Sequence, residues 1–296
     1  MLPSFLRGPF ASASEHVVYS SALYADLRSR VTQMEGAMID FSRAARTEAD
    51  ARSSEAARLL RPYVTDAELI RVGDAGDGGY VMIEAFDAIG AISIGIGGNV
   101  SWDVDVATRG LPIGMFDPTI AAAPAAVPGG TFHRIGLGTP AQATASGLAL
   151  EPLSRLLELA AAPAAGDLIL KIDVEGAEWD ALADVDDFAR YPQVVLELHD
   201  MGRLSAADSA TNVLHLLRAI HTTHLPVHVH ANNEAGLAAF GAYWLPEVLE
   251  VSYVRRDLAR NARPADTLDT RLDTPSNARF SDLSLAGLLT VEPLPA

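Results

Sequence analysis

The chain has no cysteine in 296 residues, which excludes disulfides, thiolate metal sites and a cysteine nucleophile. Lysine occurs once, at Lys171, and every other basic residue is arginine. Positive charge is scarce: the formal net charge is −16, a balance that repels phosphate backbones and argues against a nucleic-acid partner. No run of eighteen consecutive apolar residues occurs, so the sequence offers no membrane span. The opening stretch, MLPSFLRGPFASASE, lacks the apolar core of a signal peptide, and a cytoplasmic location is the default expectation. Also missing is a GxGxxG that opens directly into a helix, the phosphate cradle of dinucleotide enzymes.

What is present reads as a globular α/β chain, with 49% apolar and 20% charged residues, enough to bury a core of ordinary size. Residues 14–60 carry almost no glycine or proline, and Tyr24, Leu27, Val31, Met34, Met38 and Phe41 alternate spacings of three and four. That pattern predicts a long N-terminal helix, within an extension over 1–66, that Pro62 stops. Its apolar seam fits either a helix packed on its own domain or a homo-oligomer contact. From residue 68 the pattern changes to short apolar runs at 91–96, 113–116, 131–135, 168–173, 193–198, 226–230 and 248–254. Helical stretches at 101–109, 150–162, 177–190 and 205–222 fall between several of them. The alternation predicts a Rossmann-like domain over 67–256, a mostly parallel seven-stranded sheet with helices on both faces. The proline- and alanine-rich 118–130 reads as an irregular loop, and 257–296 as a tail wrapping the domain.

Ligands of such sheets sit at the carboxyl ends of the strands, where the strand order reverses. There SIGIGGNVSWD places Gly95, Gly97 and Gly98 in a turn that lets a ligand approach the backbone. About twenty residues on, Asp117 ends the second strand, placed to accept from a ribose diol. LILKIDVEGAEWDAL then puts Lys171 and Asp173 on one face of a buried strand, with Glu175 and Gly176 at its mouth and Glu178 in the following helix. Buried charges are costly unless paired, so Lys171 is expected to neutralise a neighbouring carboxylate. QVVLELHD ends the next strand with Glu197, His199 and Asp200. His199 could act as a general base, and Asp173, Glu197 and Asp200 could hold magnesium through oxygen ligands. PVHVHANN sends His228, His230, Asn232 and Asn233 toward the same rim, while His215, His221 and His224 read as surface or satisfied core residues.

KIDVEGAEWDAL resembles the signature of the FkbM-type methyltransferases, class I enzymes that use S-adenosylmethionine. The likeness extends over about 68–255 through DGGYV (77–81), the glycine turn, MFDPT (115–119), LELHD (196–200) and HANN (230–233). It implies that Gly95 and Gly97 pass under the methionine end of the cofactor, that Asp117 holds the ribose and that Ile135–Gly138 flanks the adenine. It further implies that Asp173 and Glu175 face the amino-acid part or the acceptor. Asp77, Gly78, Gly79 and Tyr80, with Arg71, could close over the cofactor carboxylate. The family turn reads closer to D-x-G-A-N-x-G; here the leading acid is absent. The expected activity is O-methylation of a hydroxyl on a small-molecule or glycan acceptor, a sugar or a secondary metabolite, with His199, Asp173 and Lys171 at the catalytic centre. The alternatives are a nicotinamide-dependent oxidoreductase on a similar fold, and a non-catalytic cofactor-binding or scaffold protein.

Overall fold

The structure, a computed structural model, describes residues 43–160, 165–240, 243–292 and 294. The chain divides into two units, Met1–Glu48 and Ala49–Ala296. The heptad seam from Tyr24 to Phe41, and the oligomer contact expected from it, lie outside the described residues. Helix α1 (Arg43–Leu60) stops just short of Pro62, whose ring disfavours helix in the residue before it.

Seven strands form the central sheet: β1 (Gly90–Ile94), β2 (Ile113–Phe116), β3 (Gly130–His133), β4 (Leu168–Ile172), β5 (Gln193–Leu198), β6 (His224–Ala231) and β7 (Leu249–Arg255). Their order is β6-β7-β5-β4-β1-β2-β3. All neighbours are parallel except β7, which runs antiparallel to both β5 and β6. The order reverses between β1 and β4, so the carboxyl ends of these two strands border the crevice where α/β sheets take ligands.

The remaining helices are α2 (Ser101–Thr108), α3 (Pro140–Ser146), α4 (Leu153–Leu159), α5 (Glu178–Ala181) and α6 (Ala207–Thr223). Alternate strand residues enter opposite layers, as a pleated strand requires. Ile92, Ile94, Leu170 and Leu196 pack with Leu60 of α1, Leu156 of α4 and Leu217 of α6. Ala91, Ile113, Ile169 and Val195 pack on the other side with Trp102 and Val106 of α2, and with Val72 and Met82. The last two belong to a hairpin of Leu69–Val72 and Tyr80–Ile83, which packs on that face beside α2. The C-terminal segment adds Leu285, Leu288 and Val291 to the first layer.

Two expectations fail locally. The helix anticipated over 177–190 shrinks to the four residues of α5. Beyond it the aspartates favour turns over helix: the Asp187 carboxylate accepts the Ala189 N–H at 2.7 Å, and Phe188 turns into the core. The helix anticipated over 150–162 begins only at Leu153, because Leu150–Glu151 pairs as a short strand with Gly136–Leu137.

Candidate functional site

β1 ends at Ile94 because Gly95 takes φ +81, a turn that only glycine makes freely. The Asp173 N–H donates to the Ile94 carbonyl at 2.9 Å and the Gly95 N–H to the Phe116 carbonyl at 2.8 Å, so the turn is stitched to β4 and β2. Gly97 (φ +53) and Gly98 follow, and an alanine Cβ at either would meet nothing within 4 Å. These two glycines face open space.

That space is a cavity of ≈ 980 Å³ crossing the carboxyl ends of the sheet. On the β2 side its wall contains Pro118, Gly136, Leu137, Gln142 and Leu150; on the β5 side, Lys171, Asp173, Glu175, Glu197, His199 and Asn232. Helix α3, not foreseen from the sequence, supplies Gln142, Ala145 and Ser146 to the first wall. Its signal was TPAQ: Thr139 and Gln142 form a reciprocal capping box around a proline at the helix start.

Asp117 reaches the cavity, but its carboxylate is already engaged. One oxygen accepts the N–H groups of Ile96 and Gly97 at 3.0 and 2.8 Å, and the other accepts the N–H and hydroxyl of Thr119 at 2.7 and 2.6 Å. Four acceptances use the capacity of a carboxylate. Burial works against its charge, yet these bonds hold the carboxyl below its usual range. The acid to which the sequence reading gives the ribose thus also shapes the glycine turn. Asp117→Ala leaves the buried N–H of Ile96 without an acceptor and is expected to cost about 2–4 kcal/mol in denaturant unfolding. Asp117→Asn, which keeps one acceptor oxygen, should lose less.

The opposite wall carries the charge. Lys171 is buried; its ammonium donates to the Gly95 carbonyl at 2.7 Å, stands 3.9 Å from Asp173 and lies over the Tyr80 ring. The lone lysine therefore ties the glycine turn to the acid at the mouth of β4. Tyr80 lies behind this wall with its hydroxyl donating to Glu197 at 3.0 Å, and Asn232 donates to the other Glu197 oxygen at 2.7 Å. Burial, with Asp173 and Glu250 nearby, raises the Glu197 carboxyl well above the usual range.

His199 sits at the centre of this wall. Its Nε2 is 3.5 Å from Glu175 and 3.9 Å from both Asp173 and Glu197. Its Nδ1 is 3.4 Å from the wholly buried Glu178, at an angle that misses a hydrogen bond. Glu178 does make two others, accepting the N–H of His199 at 2.6 Å and that of Gly176 at 2.9 Å. The acid of the GAEW motif thus clasps the end of β5 to the turn after β4, and the Trp179 indole donates to the His199 carbonyl at 2.8 Å. Burial disfavours the imidazolium, but Glu178, Glu197 and Asp173 outweigh it and raise the His199 pKa to about 9.

Several residues named from sequence sit elsewhere. Gly79 is outside the cavity wall; a Cβ there would overlap the Asp74 carbonyl, so the second glycine of DGGY serves the hairpin turn. Tyr80 acts through its hydroxyl, its backbone being paired with Val72. Only Asp77 and Gly78 of that loop line the cavity, held by Asn99, which donates to the Asp77 carbonyl at 3.0 Å. Arg71 gives its hydrogen bonds to the carbonyls of Asp74, Gly76, Gly79 and Leu272. Asp200 takes φ +52 with a side chain 67% exposed, so the oxygen trio of Asp173, Glu197 and Asp200 is not assembled. The donors that do converge here are Asp173, Glu175 and His199, within 4.8 Å of one another. His228, His230 and Asn233 turn toward the C-terminal segment, leaving Asn232 alone of that strand end at the cavity. His215 pairs with Asp186, His221 with Arg256, and His224 with Tyr191 and Thr223, as bystanders would. In comparisons with family models, curated proteins and solved structures, nothing matches this chain.

Proposed function

We propose that the chain is an S-adenosylmethionine-dependent O-methyltransferase acting on a hydroxyl of a small-molecule or glycan acceptor, a sugar or a secondary metabolite. The observation that carries this reading is the continuous cavity at the β1/β4 switch point, with a glycine floor open at Gly97 and Gly98 and an acidic wall at one end. The reversed β7 between β5 and β6 also agrees with the class I methyltransferase sheet that the sequence resembles.

The residues present suit such a cofactor. Gly136, Leu137 and Leu150 offer apolar surface for a purine, and the open glycines leave room for its amino-acid end. Asp77, Asp173, Glu175 and Glu234 give the cavity a negative field for a cationic ligand, against Lys171 and His199. When bound, the cofactor supplies an electrophilic methyl group to an acceptor oxygen aligned with it. His199 takes the acceptor's proton at Nε2 as general base, contributing about 10²–10⁴-fold. Lys171 and Glu178 are positioning residues, the first for the glycine turn and Asp173, the second for the backbone that carries His199. No step is assigned to magnesium.

The nicotinamide reading meets an obstacle at α2. Asn99 accepts the Ser101 N–H at 2.8 Å, and the 73–79 loop is bonded over the helix start through Asp74 N–H to the Ser101 hydroxyl at 2.9 Å. A pyrophosphate has no place there. Calorimetry is expected to show binding of S-adenosylmethionine and none of NAD. Labelled methyl should then pass to a member of a hydroxylated panel, with or without chelator. Failure to bind S-adenosylmethionine would overturn the proposal, and binding of neither ligand would favour a scaffold.

A further inference from the structure

A second group of converging donors lies away from the cavity, where the C-terminal segment crosses β6. His228 and His230 share one face of that strand and are both buried. His230 Nδ1 stands 3.0 Å from Glu250 on β7, a contact that fixes the ring and turns Nε2 outward. Nε2 then meets both oxygens of Asp282, at 3.1 and 3.0 Å. His230, Asp273 and Asp282 each offer one atom, all within 4.8 Å of one another.

The independent sign of a ligand is the pair beside them. His228 Nε2 is 2.8 Å from Asp273 Oδ1, both side chains are more than nine-tenths buried, and yet neither atom has a hydrogen-bond partner. Buried polar atoms are seldom left so, and of the two residues Asp273 belongs to the converging group. Donors held tetrahedrally about 2.0–2.2 Å from one zinc ion stand about 3.3–3.6 Å apart, a little wider than His230 Nε2 and Asp282 stand here. Glu250, Asp273 and Asp282 gather here with two imidazoles, and the charged Arg71 acts on Glu250 and Asp273 while giving its hydrogen bonds to backbone carbonyls. Imidazole with carboxylate suits zinc and its neighbours over magnesium or calcium, and the His230–Glu250 contact is the outer support that metal-binding histidines use.

We propose that His230 Nε2, Asp273 and Asp282 bind a zinc-class divalent cation, and that the ion fastens the C-terminal segment to the edge of the sheet. The fastening reaches the cavity through short links. Thr274, next to Asp273, accepts the Gly76 N–H at 2.7 Å, and Gly76 precedes the Asp77 and Gly78 that line the wall. Between the two acids, Asn277 donates its N–H to Asn233 at 2.7 Å. This site is independent of the methyl-transfer reading.

The test is titration of the chelator-stripped full chain with Zn²⁺, and separately with Mg²⁺, followed by calorimetry and thermal unfolding. The Asp173→Asn variant removes the cavity cluster from the count. One equivalent of Zn²⁺ is expected in Asp173→Asn, with a raised Tm. Asp273→Asn and Asp282→Asn should bind that equivalent at least 10-fold more weakly. Asp282 is about one-third exposed, so its variant is expected to fold, which circular dichroism checks. Absence of Zn²⁺ binding, binding unchanged in Asp273→Asn and Asp282→Asn, or loss of the only equivalent in Asp173→Asn would each overturn the proposal.

Discussion

Gly95→Ala is expected to abolish folding, the largest effect of any single substitution at the site. Two costs act together. At φ +81 an L side chain is strained by about 1–2 kcal/mol, and the added Cβ overlaps the carbonyl oxygen of Asp173. That carbonyl belongs to backbone which cannot simply retreat. The Asp173 N–H is bonded to Ile94, the Gly95 N–H to Phe116, and the Gly95 carbonyl accepts from Lys171. Relieving the overlap breaks the joint between β1, β2 and β4 and disturbs the carbonyl that accepts from a buried ammonium. A loss above about 4–5 kcal/mol consumes most of the stability of a domain of this kind. Insoluble expression, or a product without near-ultraviolet circular dichroism, is the expected result. Gly98→Ala separates this role from ligand contact, since its Cβ enters open space. It should fold within about 1 kcal/mol of the parent and yet bind S-adenosylmethionine at least 10-fold more weakly. A Gly95→Ala protein of parental stability would refute the steric argument, and unchanged affinity in Gly98→Ala would move the cofactor off this floor.

The sheet was legible because buried parallel strands read as apolar runs with abrupt glycine and acid ends. All seven runs became strands, shifted by two residues at most, and the acids at their ends gathered on one rim. What could not be read were the partners. Alternation in PVHVHANN shows that His228 and His230 share a face, but not that Asp273 and Asp282 arrive there from up to 52 residues away. The same limit applies to Asp117. Its position at the strand end is visible in sequence, whereas the use of all its acceptor sites by Ile96, Gly97 and Thr119 depends on how the turn closes. The TPAQ capping box, by contrast, was a local signal that periodicity obscured. Alanine and threonine gave α3 no apolar stripe, and none of its residues is buried.

His199→Gln is expected to lower turnover by about 10²–10⁴-fold with cofactor affinity retained, and the pH profile tells why. A base must be unprotonated to work, and the carboxylates around His199 hold its pKa at about 9 despite burial. In the free enzyme kcat/KM should therefore climb with pH and level off only above about 9. The sign follows from the neighbours. Each carboxylate that favours the imidazolium delays release of the proton, so removing one moves the rising limb to lower pH. Glu178 contributes most to that elevation among the acids, which makes Glu178→Gln the diagnostic change. Its limb should shift down while that of the parent stays near 9, and His199→Gln should have no such limb. Glu178→Gln also loses one of its two acceptances, from His199 or Gly176 N–H, at a cost of about 1–3 kcal/mol. Lower stability alone would depress the rate at every pH. Only a base held by Glu178 predicts a displaced limb, and a profile flat in pH, or identical in the parent and Glu178→Gln, would remove His199 from the proton transfer.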